Sequence, residues 1–337
     1  MSIKSMKILS PLDSIEEVDD LAQAGAGEFF CGVLEDGWYE KYPVISINRR
    51  PAGKGHFRRF EDLKEAVSRA HGHGISVYFT VNEHYYTQAQ YDLIRRYLEG
   101  AVAAGIDAFI LTDFGLLQFI KEQAYPAALH ISTGGTVFNW RSVAFFKELG
   151  AANITLPRHL SIAEIAEIAS KMPPMETTAF VLNSRCINID GFCTFQHGLA
   201  RKDVLPMFRN ACMLPFDVQV CSRRENVPFV QQASMIERQR IWERVHVDDH
   251  PCGACALFEF QKLGIGSLKV VGRGNPLERK LRDVGFLKNL LGRLEENPTP
   301  QAFRTTARML YTATYNRACR PTMCYYPEVM AARQGCS

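Results

Sequence analysis

The sequence predicts a (β/α)8 TIM-like barrel with a cysteine-rich insertion between strands 7 and 8 and a helical C-terminal extension. Short, near-continuous apolar runs recur eight times along the chain, amphipathic stretches of helical period lie between most of them, and several of those stretches stop at a glycine just before the next run. Runs without polar alternation suit strands buried on both faces, as in a parallel sheet. Eight strand–helix units in succession suit a closed barrel, with the doubly wound open sheet as the structural rival.

In chain order the strands are expected at Lys7–Leu12, Glu28–Val33, Ser76–Asn82, Ala108–Asp113, Ala127–Thr133, Asn153–Arg158, Thr178–Asn183 and Leu268–Gly272. Among the helices, Phe60–His73 and Gln88–Ala104 have the clearest apolar stripe. Ser161–Lys171 opens with Ser161 and has Glu164 three residues on, the pattern of a capping box. Gly25, Gly74, Gly105, Gly150 and Gly264 stand where helices should end in a left-handed residue. After strand eight, Pro276–Glu296 and Pro300–Tyr315 read as helices, followed by a tail carrying Cys319, Cys324 and Cys336. Residues 1–273 are therefore expected to form the barrel, with the insertion at 184–266, and residues 274–337 the extension. The gap between strands seven and eight is far longer than an ordinary βα loop. It should leave the barrel at its C-terminal face, where active sites of this fold sit.

Composition narrows the functional classes. A chain of 337 residues with 47% hydrophobic content can bury a sizeable core, and a formal charge of +3 does not call for a nucleic-acid partner. No run approaches the roughly 18 apolar residues of a membrane span. The N-terminal stretch lacks the apolar segment of an export signal. The chain thus reads as cytoplasmic, where thiols stay reduced.

At the C-terminal ends of the strands, Asn82, Asp113, Thr133, Arg158, Asn183 and Arg273 should face one cavity, with Arg49 and Arg50 in the loop after strand two. Arg158 and Arg273 directly follow apolar strands and are the leading candidates to bind a small-molecule carboxylate, which a guanidinium holds bidentately. Asn82 and Asp113 complete the candidate catalytic set. His130 lies within strand five and reads as a hydrogen-bonded core residue, while His71 and His73 close a helix, where a cation is favourable. Gly134-Gly135 could admit a ligand backbone. There is no Ser/His/Asp order, phosphate-binding glycine loop or paired-histidine zinc motif.

Six of the ten cysteines fall between Cys186 and Cys255, whereas the first 185 residues contain only Cys31. In reduced surroundings such a concentration points to metal. Zinc and iron–sulfur clusters both accept four thiolates. Cys186, Cys193, Cys212 and Cys252 are widely spread, and only Cys252-Gly-Ala-Cys255 forms a close pair, which suits a cubane cluster better than a zinc knuckle. Cys221 and Cys255 are alternatives for one ligand.

These segments resemble the collagenase-like peptidase family U-32. The resemblance is carried by Phe180-Val181 through Cys186 and Gly191-Phe192-Cys193, by Ala211-Cys212-Met213-Leu214-Pro215, and by Cys252 with Gly264-Ile265-Gly266-Ser267-Leu268-Lys269-Val270-Val271-Gly272-Arg273. Gly105-Ile106-Asp107-Ala108, Asp113-Phe114-Gly115-Leu116 and His130-Ile131-Ser132-Thr133 also fit, so it runs from Lys7 to Arg273. Thr178, Asn183, Phe216 and Val271 depart from the family pattern. The resemblance implies a [4Fe-4S] cluster on Cys186, Cys193, Cys212 and Cys252. It also implies oxygen-independent hydroxylation of a ubiquinone precursor or of RNA bases, with prephenate as hydroxyl source, and in some members a paralogous family subunit as partner. A near-neutral chain favours a small-molecule or lipid-precursor substrate over RNA. A collagenase-like peptidase and a non-catalytic, cluster-holding partner are the competing functions.

Overall fold

The computed structural model describes residues 5–42, 46–50, 53, 55–183, 186, 188–193 and 250–331. Cys212, Cys221 and Cys336 lie outside the described residues, and with Cys212 one of the four expected thiolate ligands. Eight parallel strands close into a barrel in sequence order: β1 (Lys7–Pro11), β2 (Glu28–Cys31), β3 (Ser76–Val81), β4 (Ala108–Leu111), β5 (Ala128–Ile131), β6 (Ala151–Thr155), β7 (Glu176–Leu182) and β8 (Ser267–Val270). Closure is made where Lys7, Ile8 and Leu9 pair with Ser267, Leu268 and Lys269.

The described helices around the barrel are α1 (Glu17–Ala24), α2 (Asp36–Lys41), α3 (Phe60–Gly72), α4 (Tyr91–Ala104), α5 (Phe114–Gln123), α6 (Trp140–Glu148), α7 (Ile162–Lys171) and α8 (Leu257–Leu263). Then α9 (Leu277–Glu295), α10 (Pro300–Tyr315) and α11 (Glu328–Ala331) follow β8. Ser161 and Glu164 form the expected capping box. All five helix-ending glycines adopt positive φ, where a Cβ would be strained. β6 starts two residues earlier than expected and stops at Thr155. Leu156 still donates to the Thr178 carbonyl, but Pro157 has no N–H with which to continue the ladder. The helix expected from Gln88 is divided: a 3-10 turn at Gln88–Gln90, boxed by Thr87 and Gln90, precedes α4.

Outward-facing strand residues such as Phe29, Phe79, Phe109 and Leu268 pack under the helices in the main core. A separate small cluster of Leu9, Phe30, Tyr78, Ala108 and Ile110 fills the barrel interior. At its N-terminal end Glu28 accepts from Tyr78 Oη at 2.9 Å and Ser267 Oγ at 2.6 Å. On the outside, Lys280 of α9 is 1% exposed and donates to Asp13 at 2.5 Å and Glu17 at 2.7 Å, tying α9 to the β1–α1 unit. Among the described residues no helix is long and apolar enough to cross a membrane.

Candidate functional site at the barrel mouth

Among the described residues, Arg49, Arg50, Arg158, Lys269 and Arg273 act on one another at the mouth. Arg273, just beyond β8, is 8% exposed and donates to Thr80 Oγ1 at 2.8 Å and to the Asn48 carbonyl at 2.6 Å. Gly32 makes this possible, because a Cβ there would lie 2.8 Å from the Arg273 guanidinium and 2.9 Å from Thr80 Oγ1. A guanidinium has five N–H donors, and Arg273 Nε is buried with no partner among the described residues. Burial, and then Arg50, hold Arg273 below its ordinary value; burial likewise lowers Arg50, against the pull of Asp13. The guanidinium stays charged, so the site carries stored positive potential that an anion would relieve.

Arg158 has a different role from the one expected. Its fork is taken by Asp190: Nη2 to Oδ1 at 2.6 Å, Nε to Oδ2 at 3.1 Å, and the Arg158 amide to Oδ2 at 2.7 Å. Burial by itself would raise the Asp190 carboxyl, but the attraction of Arg158 and its hydrogen bonds outweigh this and bring it down to about 2. Asp190 lies between Cys186 and Cys193, so the pair pins the first two expected iron ligands to the end of β6. Arg158 thus holds this segment in place, and Arg273 keeps its Nε without a partner among the described residues.

The other candidates separate in the same way. Asn82 Nδ2 donates to Ser132 Oγ at 3.2 Å, and its Oδ1, like Thr133 Oγ1, is buried with no partner among the described residues. Asp113 caps α5, accepting from the Leu116 amide at 2.7 Å. Asn183, in the left-handed region at φ 65, turns its amide towards α9, donating to Asp283 at 2.7 Å and to the Val271 carbonyl at 3.0 Å. Gly134 and Gly135 sit in a buried turn where a Cβ would strike Thr112 and Ile131, so packing accounts for them. His130 is a core residue edge-on to Tyr78 at 4.5 Å, and burial pushes its imidazole down to about 4. His71 and His73 pair with Asp107 at 3.0 Å and Asp19 at 2.8 Å.

Lys269 was not anticipated. It alternates with Leu268 and Val270 on β8 and shares the inward face with Ser267, so it points into the barrel. It is 6% exposed, with Nζ 4.5 Å from the Phe30 ring centre and 5.6 Å from that of Phe180. Arg158 stacks on the same Phe180 ring at 4.8 Å. Burial, followed by the repulsion of Arg273, Arg158, Arg50 and Arg49, pushes Lys269 down to about 7. The available signal was a lone lysine in an otherwise apolar strand.

Among the described residues no three His, Cys, Asp or Glu side chains are gathered closely enough to hold a metal ion. The backbone nevertheless collects thiols at one place. Leu182, ending β7, bridges to Cys252, and the Asn183 amide donates to the Pro251 carbonyl at 2.9 Å. Cys252 therefore returns to the strand end from which Cys186 departs. Cys252 Sγ accepts from the Ala254 amide at 3.3 Å, although burial outweighs that donor and holds its thiol well above the ordinary range, and Cys193 Sγ accepts from Asn188 Nδ2 at 3.6 Å. The chemistry of this donor set, cysteines brought to one strand end, is the kind that a thiolate-bound iron–sulfur group would need. Cys252 also bridges to Cys324, and it has Cys255, Cys324 and Cys319 as electrostatic neighbours, which makes those three alternative donors. Tyr325 hydroxyl donates to the Asn183 carbonyl. Beside it, Arg158, His159, Ser161, Cys186 and Glu328 line a cavity of about 250 Å³.

Residues 13–331 match Peptidase family U32. The chain is similar to tRNA hydroxylation protein P of Escherichia coli (strain K12), 30% identical over 214 residues, 63% of this chain and 44% of that protein. It is 25% identical over 200 residues to tRNA hydroxylation protein P1 of Bacillus subtilis (strain 168), 59% of this chain and 44% of that protein. It is 22% identical over 231 residues to the 23S rRNA 5-hydroxycytidine C2501 synthase of Escherichia coli (strain K12), 68% of this chain and 32% of that protein. The chain thus spans less than half the length of these relatives. Among solved structures, the U32 peptidase Mk0906 aligns with a TM-score of 0.41 at 16% identity, covering 53% of this chain and 69% of that one.

Proposed function

This chain belongs to peptidase family U32, and from that premise we propose that it takes part in oxygen-independent hydroxylation. In this reading Cys186, Cys193, Cys212 and Cys252 hold a [4Fe-4S] cluster, and the cations of the mouth bind a carboxylate-bearing hydroxyl donor such as prephenate. The carrying observation is the gathering of Arg49, Arg50, Lys269 and Arg273 around one buried region, with Arg158 already neutralised by Asp190. When bound, such a cluster supplies electron transfer at a potential set by its thiolates and the hydrogen bonds to them. The chain's own groups do the rest. Arg273 orients a carboxylate with its unpartnered Nε as one donor, Asn82 and Thr133 offer polar atoms to the remainder of the ligand, and Phe30 and Phe180 keep water from its apolar part.

A small-molecule or lipid-precursor acceptor is the leading reading, because a charge of +3 provides little general attraction for a polyanion. An RNA base is the second, favoured by the similarity to tRNA and rRNA hydroxylation proteins. Product analysis with each acceptor class separates the two, with and without a paralogous subunit supplied.

Anaerobically purified protein should be brown and contain iron and acid-labile sulfide in equal amounts. Cys186→Ser or Cys252→Ser should remove most of both. A colourless protein with stoichiometric zinc would reject the cluster. For the anion site, Arg273→Ala should weaken prephenate binding by about ten- to a hundredfold, the equivalent of roughly 1.5–3 kcal/mol for a hydrogen bond to a charged group, while leaving iron content unchanged. Unchanged affinity in calorimetry would dismiss Arg273 as the anchor.

A further inference from the structure

We propose that Lys269 is an imine-forming lysine, and that the ligand of the mouth is a 2-oxo acid whose ketone it captures. The inference rests on the anion-binding reading above and deepens it by naming the ligand class. Three observations converge on this amine. Its position on β8 aims it into the barrel, while the pairing of Leu9 and Phe180 with it on either side fixes its backbone. Among the described residues its Nζ has no carboxylate or hydrogen-bond partner, and the groups against it are the faces of Phe30 and Phe180. Its burial, and then the four arginines that act on it, disfavour the ammonium form and leave a nucleophilic lone pair near neutral pH. A buried lysine with a purely structural role is ordinarily paired with an acid, as Lys280 is with Asp13 and Glu17.

The same arginines define what the amine would meet. Arg273, just beyond the strand, has a buried Nε with no partner among the described residues and would take a carboxylate, while Lys269 lies between aromatic rings. A molecule with a carboxylate next to a ketone presents these two groups in the order that the mouth and the barrel interior offer. In the step itself the Nζ lone pair attacks the carbonyl carbon and the carbonyl oxygen takes up a proton. The resulting carbinolamine then loses water, so that amine plus ketone gives imine plus water with no change of oxidation state. Imine formation would hold the donor at one orientation and make its carbonyl carbon a stronger electron sink than the free ketone.

The test uses the full-length, anaerobically purified protein with its iron in place. Pyruvate and phenylpyruvate are added separately with sodium borohydride, which reduces an imine to a stable secondary amine, and the adduct is located by peptide mass spectrometry. Binding is measured in parallel without borohydride. The expected result is one reduced adduct per chain, on Lys269, with either 2-oxo acid and none with lactate or acetate. Lys269→Arg, which keeps a cation but cannot form the imine, should bind phenylpyruvate yet give no adduct. Binding without an adduct on Lys269, or an adduct that persists in Lys269→Arg, overturns the imine and leaves the anion site standing. Failure of pyruvate, phenylpyruvate and prephenate alike to bind overturns both.

Discussion

Replacing Asp190 with Ala should cost the protein about 3–5 kcal/mol, because it strands a guanidinium that is only 11% exposed without its counter-ion. The loss arises less from the vanished attraction than from the buried charge left behind. Asp190→Asn should retain part of the hydrogen bonding and fall between the wild type and Asp190→Ala. The pH dependence has a definite sign. With a folded value of about 2 against an unfolded one near 3.9, Asp190 contributes stability that is complete above about pH 4 and lost as pH falls towards 2. Denaturant titrations of wild type and Asp190→Ala should therefore converge on acidification through that window. Curves that stay parallel from pH 6 to pH 2 would show that the pair does not carry the effect. Where the proposed cluster is present, iron retention should fall along with stability, since the same carboxylate holds the segment between Cys186 and Cys193 against β6.

Lys280→Ala should destabilise the fold by a comparable amount, about 3–5 kcal/mol, through the opposite imbalance. Here the cation goes, and Asp13 and Glu17 are left facing each other. Burial already holds the Glu17 carboxyl above its ordinary range even though Lys280 pulls it down, so removing the lysine should raise it further. A carboxyl with a raised folded value contributes stability at low pH and loses it as pH rises through that value. The penalty in Lys280→Ala should therefore be smallest near pH 4 and grow towards neutrality, and adding Glu17→Gln should recover much of it at pH 7. A penalty independent of pH, and unrelieved by Glu17→Gln, would mean that lost packing of the lysine stem accounts for it.

Much of the architecture was legible because barrel strands are buried on both faces and announce themselves as apolar runs. The boundaries at Ser161 and Glu164, and at the helix-ending glycines, could be read from local chemistry alone. The site was legible only where function and local pattern coincide. Arg273 follows its strand directly, so its place at the mouth could be read from the sequence. Lys269 lies inside a strand, and its meaning depends on which face points inwards and on the rings that Phe30 and Phe180 bring from other strands. Asp190 was missed because its partner is 32 residues away, beyond an intervening helix and strand, and no local pattern links the two. Asp113 and Asn183 were placed at the mouth by position, yet Asp113 is spent on the first turn of α5 and Asn183 turns towards α9. Strand-end position says where the backbone stops and leaves open where the side chain goes.

The joint at which the long insertion leaves and rejoins the barrel carries a consequence for how such a protein can diversify. Leu182 pairs with Cys252 and the Asn183 amide with the Pro251 carbonyl, so both ends of the excursion are held together at its root like the base of a hairpin. Loop-closure entropy grows only logarithmically, by about 0.6 kcal/mol for each doubling of length. Residues can then be gained, lost or exchanged beyond the joint at little cost to the barrel, while the cations and aromatic rings inside keep their register. Selection can thus rewrite what the mouth admits without reopening the question of how the barrel folds.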